Sequence, residues 1–550
     1  MYLDRVVSLA IALVMGACAL WSISAAAPAP AQLTLEIQDY VAMPITGKLD
    51  GKTPNESALS RVNAIREETG GANRFFIPVV SGPLYVFDKQ TKTFTTYLDF
   101  NGRDEKRGIF KKFYSEAGFG NGLNGFNLDP DYKRNGKFYT THMEDPAIAA
   151  TELPQNSMFP HLDLSAYSST SAIQTPGPVM HQGVLIEWTD TNPSNNTFEG
   201  TARELFRVWL NTRSHQLGEM IFNPAAKRGD PDWRVMYLEV GDGGSGDSKD
   251  PRMRMNPQRL DTMVGKIVRI IPDLNEHKNT STVSENGRYR IPNDNPFVAT
   301  QGARKEIWAY GLRNPHRLTW AIDPSNAKNN RLIANVCGLH TWETVDIIQK
   351  GANYGFPLRE GNQMLQADNT TTALPADDKI PVMVSDTVTA GTVVPTYPVI
   401  QWGHNERGGD CAGSGYLYNG KTIPALRGKY VFNDLTTGRI WYSDYKEMLA
   451  ADDGDPKTMA AMHDLRLLWD DPRDTPDAGK KTYDTMLPIV RTAYAHRGGM
   501  AASMNGKASV SGPHRADVRL AVDAAGELYI YSKSDGMIRR IVATANQSSH

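Results

Sequence analysis

A chain of 550 residues is long enough for two or three average domains, or for one large all-β fold. Its 59 Lys+Arg balance 61 Asp+Glu and no long run of like charge occurs, so nothing in it asks for nucleic acid or an anionic membrane surface as a partner.

The chain opens with MYLDRVV, the apolar SLAIALVMGACALW and the small-residue SISAAAPAPA. A short positive start, an apolar region too short for a bilayer span and Ala-x-Ala choices near Ala27 to Ala31 predict a secretory signal peptide over 1–31 and an exported mature chain. A lipoprotein site at Cys18 and an uncleaved anchor are the alternatives. Removal of the segment leaves Cys337 and Cys411, which could pair or be two buried thiols. No later stretch reaches the roughly 18 apolar residues of a membrane helix.

From residue 32 onward the strongest signals are short. SALSRVNAIREE (57–68) has helical periodicity. RFFIPVV, GPLYVFD, KFYTTHM, GVLIEW, RVMYLEV, GKIVRII, EIWAYG, KYVFND, GRIWYSD and ELYIYS are strand-like runs between Gly, Pro, Asn or Asp, and Asn135-Gly136 suits a tight hairpin. Many strands without β-α-β alternation predict an all-β fold. A loose repeat of aromatic strands ending in forms such as GKIVRI, GRIWYS and GMIRRI favours a β-propeller interrupted by insertions, in one domain over 32–545. The segments 145–180, 275–300 and 363–395, rich in Asp, Asn, Thr and Pro, read as inserted loops.

GFGNGLNG (118–125) contains the letters G-x-G-x-x-G, but the sequence after it reads as a strand and a turn, which excludes a dinucleotide loop. No G-x-S-x-G, H-E-x-x-H or paired C-x-x-C occurs. Three clusters remain. In RSHQLGEMIFNP, His215 stands just ahead of a strand. In RVMYLEVGDGGSGDS, Asp242 ends one, where a carboxylate can fix a neighbouring imidazole and make it a general base. In EIWAYGLRNPHRLTW, Arg313 and Asn314 interrupt a strand pattern, placing a guanidinium fork and an amide where a planar carbonyl or carboxylate could be gripped. Each has a bland alternative: a structural His, a turn Asp, an Arg bridging a turn.

Taken in order, SHQLGEMIFNP, YLEVGDGG, RLDTMVGKIVRI, NGRYRIPNDNPF, EIWAYGLRNPHRLTW and CGLHTWETVDIIQKGANYGFP resemble the glucose/sorbosone dehydrogenase family, over about residues 60 to 540. The resemblance implies a soluble, exported, six-bladed propeller that uses pyrroloquinoline quinone with calcium. It implies His215 as the base that deprotonates a sugar's anomeric hydroxyl, Asp242 as its orienting partner, and Arg313 and Asn314 as holders of the quinone carbonyls. It implies the carbonyls of Gly338 and Leu339 as calcium ligands, with Gly338 beside the cofactor and Tyr354 and Glu360 as further metal candidates. Departures are visible: Gly120 and Asn121 stand where the family has a substrate-side Gln, Thr436 where it has a cofactor Lys, and Leu339 where it has Pro. Arg515 and Arg519 are candidates for its last pair of cofactor arginines. The implied function is oxidation of the C1 hydroxyl of aldoses or related polyols and aldehydes, with electrons passing to an external acceptor. The competing reading is a propeller without turnover that binds a ligand or a protein. A calcium-propeller hydrolase would need converging carboxylates that the sequence does not offer.

Overall fold

The computed structural model describes residues 32–68, 70–115, 120–475, 479–504 and 514–545. The segment read as a signal peptide lies outside them. No helix among the described residues is long and apolar enough to cross a membrane.

Six sheets of four or more strands follow one another along the chain. Blade 1 is built from Arg66–Glu67, Arg74–Pro78, Pro83–Asp88 and Thr93–Asp99; blade 2 from Leu123–Leu128, Lys137–Glu144, His181–Asp190 and Gly200–Leu210. Blade 3 holds Leu217–Phe222, Met236–Val240, Lys266–Ile270 and Ile307–Tyr310, and blade 4 Asn314–Ala321, Arg331–Cys337, Trp342–Ile347 and Ile400–Gly403. Blade 5 is Ala412–Leu417, Lys429–Asp434, Ile440–Asp444 and His463–Asp464. Blade 6 runs inward to outward Val518–Val522, Leu528–Ser532, Met537–Thr544 and then Thr34–Ala42 from the other end of the chain. The fold is a six-bladed β-propeller, closed by that N-terminal strand.

Strand alternation explains why blades stack radially. In Arg74–Pro78, Phe76 packs with Phe126 and Phe138 of blade 2, while its neighbours Phe75 and Ile77 pack with Tyr529 and Tyr531 of blade 6. In blade 5, Tyr430 and Phe432 join Ile333 and Trp402 of blade 4, whereas Val431 between them joins Val518 and Leu520 of blade 6. Every blade is thus apolar on both faces, which is why the strands read as continuous apolar runs rather than as alternating ones.

Three local expectations are corrected. Residues 57–68 form no helix beyond the one-turn Pro54–Ser57; the chain is extended from Ala58 and enters blade 1 at Arg66, because its apolar side chains Leu59, Val62 and Ile65 feed two interblade cores. Asn135-Gly136 is no two-residue turn: Tyr132–Asn135 is a single helical turn stopped by Gly136 at φ 62°. The insertions 275–300 and 363–395 carry small antiparallel pairs of their own, Ser281–Val283 with Arg290–Pro292 and Ile380–Met383 with Thr389–Val393.

Candidate active site in the central cavity

EIWAYGLRNPHRLTW is not one broken strand. Ile307–Tyr310 is the outermost strand of blade 3 and Asn314–Ala321 the innermost of blade 4, so Arg313 stands at a blade junction beside the propeller axis. Pro315 falls in the irregular register between Asn314 and Arg317, where no ladder amide is required.

At this end of the axis the starts of the innermost strands of blades 2 to 6 surround a cavity of about 240 Å³. Gly120 and Asn121 line it from blade 2, His215 and Gln216 from blade 3, Asn314, His316 and Arg317 from blade 4, Cys411 from blade 5, and Arg515 and Arg519 from blade 6. His215, Asn314, Gly120, Asn121, Arg515 and Arg519 therefore line one cavity.

His215 Nδ1 lies 2.6 Å from Asp242 Oδ1. Asp242 is fully buried, and its carboxylate is fixed from the other side by the amides of Gly244 (2.8 Å, to Oδ1) and Gly246 (3.0 Å, to Oδ2). Its own amide donates to the Arg313 carbonyl (2.8 Å), and the Gly243 amide to the His215 carbonyl (3.1 Å), so the loop is stitched to both neighbours. His215 has φ 50°, a left-handed conformation uncommon for a residue with a Cβ. Gly241 is needed for that approach: a Cβ there would fall 2.4 Å from the His215 carbonyl oxygen. With Nδ1–H held by a carboxylate, the lone pair is left on Nε2, the arrangement of a general base.

The cavity wall is cationic. Arg317 donates to Glu219 (3.2 Å), and Arg515 to Asp517 (3.0 Å). Arg519 is buried with Nε and Nη1 lacking any hydrogen-bond partner. Burial, with Arg317 beside it, lowers its guanidinium to about 9. Burial lowers the Lys533 ammonium well below its usual range, with Arg519 adding to the effect. A buried guanidinium with two idle donors fits an anionic ligand carrying several oxygens, as a quinone tricarboxylate does.

Arg313 and the residues suggested for calcium sit apart. Arg313 Nε and Nη2 grip Asp247 bidentately (3.0 and 2.8 Å), and Nη1 donates to the Gly338 carbonyl (2.6 Å). Burial tends to lower the Arg313 guanidinium and to raise the Asp247 carboxyl, but their pairing overrides both: the first is raised and the second held below its usual range. Arg313, Gly338, Tyr354 and Glu360 line a second cavity of about 40 Å³. Glu360 Oε1 accepts the amides of Leu339, His340, Thr341 and Trp342 at 2.7 to 3.2 Å, and the Tyr354 hydroxyl donates to the Ile347 carbonyl (2.6 Å). A guanidinium already occupies the cation's place at the Gly338 oxygen, so this arrangement does not fit a calcium ion there. Thr436 is buried and lines neither cavity, donating to Asp434 (3.0 Å), although its neighbour Leu435 lines the main one.

Sequence reasoning missed Asp247, Gln216, His316, Arg317 and Cys411. Asp247 lay in the same GDGGSGDS as Asp242, and His316 and Arg317 in the same NPHR as Asn314; only the blade junction reveals their placement. Cys337 and Cys411 form a disulfide.

Residues 201–454 match the family described as Glucose / Sorbosone dehydrogenase. The chain is similar to HIPL1 protein of Arabidopsis thaliana, 27% identical over 68% of this chain and 50% of that protein. It is also similar to Aldose sugar dehydrogenase YliI of Escherichia coli (strain K12), 31% identical over 28% of this chain and 33% of that protein. The match thus spans about half of HIPL1 protein and a third of the bacterial enzyme. Among solved structures, the PQQ-bound aldose sugar dehydrogenase of Streptomyces coelicolor is 16% identical with a TM-score of 0.47, covering 93% of this chain and 99% of that one. Residues 201–454, which include the histidine–aspartate pair, thus match the glucose/sorbosone dehydrogenase family.

Proposed function

We propose that this chain is an exported, quinone-dependent dehydrogenase that oxidises the C1 hydroxyl of an aldose or a related polyol or aldehyde. The observation that carries the reading is His215, held at 2.6 Å by buried Asp242 on the wall of a cationic cavity. Pyrroloquinoline quinone, when bound, supplies the hydride acceptor. Arg519 and Arg515 would hold its carboxylates, and Asn314 would offer an amide donor beside them. His215 Nε2 takes the proton of the sugar hydroxyl, and Asp242 stabilises the imidazolium so formed. Asn121 and Gln216 line the substrate side with amide groups able to bond sugar hydroxyls. Calcium enters only as a competitor of Arg313 for the Gly338 carbonyl, and no step passes through it.

The test is turnover of quinone-loaded protein with aldoses and an artificial electron acceptor. His215→Asn is expected to lower the rate by about 10²–10⁴-fold with quinone affinity retained, because the base acts in the chemical step. Unchanged turnover in that variant would remove His215 from the mechanism.

A second reading, a propeller that binds a ligand or a protein without turnover, is favoured by one observation. The Arg313 guanidinium is engaged by Asp247 and by the carbonyls of Cys337 and Gly338 and does not line the main cavity. Sugar-independent quinone binding with no acceptor reduction would support it.

A further inference from the structure

The Cys337–Cys411 disulfide joins the second strand of blade 4 to the start of the innermost strand of blade 5. It does so at the wall of the main cavity, which Cys411 and His316 both line. His316 Nδ1 is 3.3 Å from Cys337 Sγ, and the nitrogen and the two sulfurs all lie within 4.8 Å of one another. The ring's other nitrogen, Nε2, is buried with no hydrogen-bond partner.

We propose that reduction of this disulfide converts His316, Cys337 and Cys411 into a thiolate–imidazole site for a soft divalent metal such as zinc. Tetrahedral zinc with sulfur ligands at about 2.3 Å and nitrogen at about 2.0–2.1 Å keeps its ligand atoms roughly 3.5–3.8 Å apart. His316 Nδ1 and Cys337 Sγ, 3.3 Å apart, already sit near that spacing, and breaking the sulfur–sulfur bond frees the two sulfurs to separate toward it. Two thiolates and an imidazole form a soft donor set that selects zinc or copper(I) over calcium or magnesium. Arg317 and Arg519, which line the same cavity, favour the thiolate forms. Three protein ligands leave a fourth position open toward the cavity, the pattern of a site that also takes water or substrate.

The chemistry balances. Two equivalents of a thiol reductant give up two electrons and two protons, forming their own disulfide and leaving two protein thiols. The divalent ion then displaces the two thiol protons as it binds. The inference is independent of the dehydrogenase reading, since it needs neither quinone nor sugar.

The experiment uses the full chain, reduced with excess dithiol, freed of it without oxygen and titrated with Co²⁺. One equivalent is expected to bind with a thiolate-to-cobalt charge-transfer band, zinc is expected to displace it, and the oxidised protein is expected to show no band. His316→Gln keeps both thiols and the disulfide of the oxidised form. It is expected to weaken the metal by more than the roughly 10–100-fold that losing an outer-shell partner costs. A reduced, folded protein without the band, or the same affinity in His316→Gln, overturns the proposal. Unfolding on reduction alone, seen by circular dichroism, overturns it as well, because the site requires the junction of blades 4 and 5 to persist.

Discussion

Asp247 decides what Arg313 can do. The carboxylate holds two of the guanidinium's three hydrogen-bonding nitrogens, and Gly338 holds the third. Asp247→Asn weakens that clasp and leaves the cation able to turn toward the cavity, so quinone affinity measured by fluorescence quenching is expected to rise about tenfold. A lower affinity would mean that the Asp247–Arg313 pair itself shapes the binding site. Asp346, on the wall of the small cavity, shows the same physics in stability. Burial pushes its carboxyl up to about 7, offset in part by the Thr344 hydroxyl. The folded protein therefore keeps this proton at pH values where the unfolded chain has lost it, so the stabilisation is complete below about pH 4 and is lost as pH rises through 7. Asp346→Asn is expected to stabilise the protein at pH 8 by on the order of 2 kcal/mol. Near pH 4 the gain should vanish, and urea midpoints at the two pH values check both statements.

Individual strands were legible because each blade faces two cores. A run such as KYVFND has no polar face, and its length and aromatic content still mark it as a strand. What sequence could not show was which strand ends meet. His215, Asp242 and Arg313 were visible as residues interrupting strand patterns, but the apolar run on either side of Arg313 concealed a passage between blades. Residues 57–68 failed for the opposite reason: helical spacing there arises from side chains shared between two cores. Thr436 illustrates a third limit, since a short polar residue after a strand reads the same whether it faces a cavity or bonds a buried aspartate. The disulfide is an element-scale clamp between blades 4 and 5, closing a separation of 74 residues. Cys411→Ser is expected to cost about 2–4 kcal/mol in urea unfolding. A loss below the error of the extrapolation would show that the interblade core alone holds this junction.

Closure of the ring depends on residues 500 positions apart. Thr34–Ala42 pairs with Met537–Thr544, and fully buried Arg539 sits between Asp39 (2.8 Å) and Asp535 (2.8 Å). Removing residues 34–42 takes Asp39 from a buried guanidinium, at about 3–5 kcal/mol, and exposes the partners of Leu35 and Ile37, each worth about 1.5–3 kcal/mol when buried. The truncated chain is expected to lose its cooperative unfolding transition; an unchanged transition would mean that five complete blades and a partial sixth suffice. The closed ring is what gathers the cationic cavity wall from separate blades, with Arg317 contributed by blade 4 and Arg515 and Arg519 by blade 6. In the proposed function, this wall binds a polyanionic quinone beside His215. The most direct test of that claim is a titration of metal-stripped protein with pyrroloquinoline quinone, with and without Ca²⁺, followed by quinone absorbance, alongside Arg519→Met. Saturable one-to-one binding, weakened at least about tenfold in the variant, is the predicted result. No saturable change at micromolar quinone in either condition would contradict the claim.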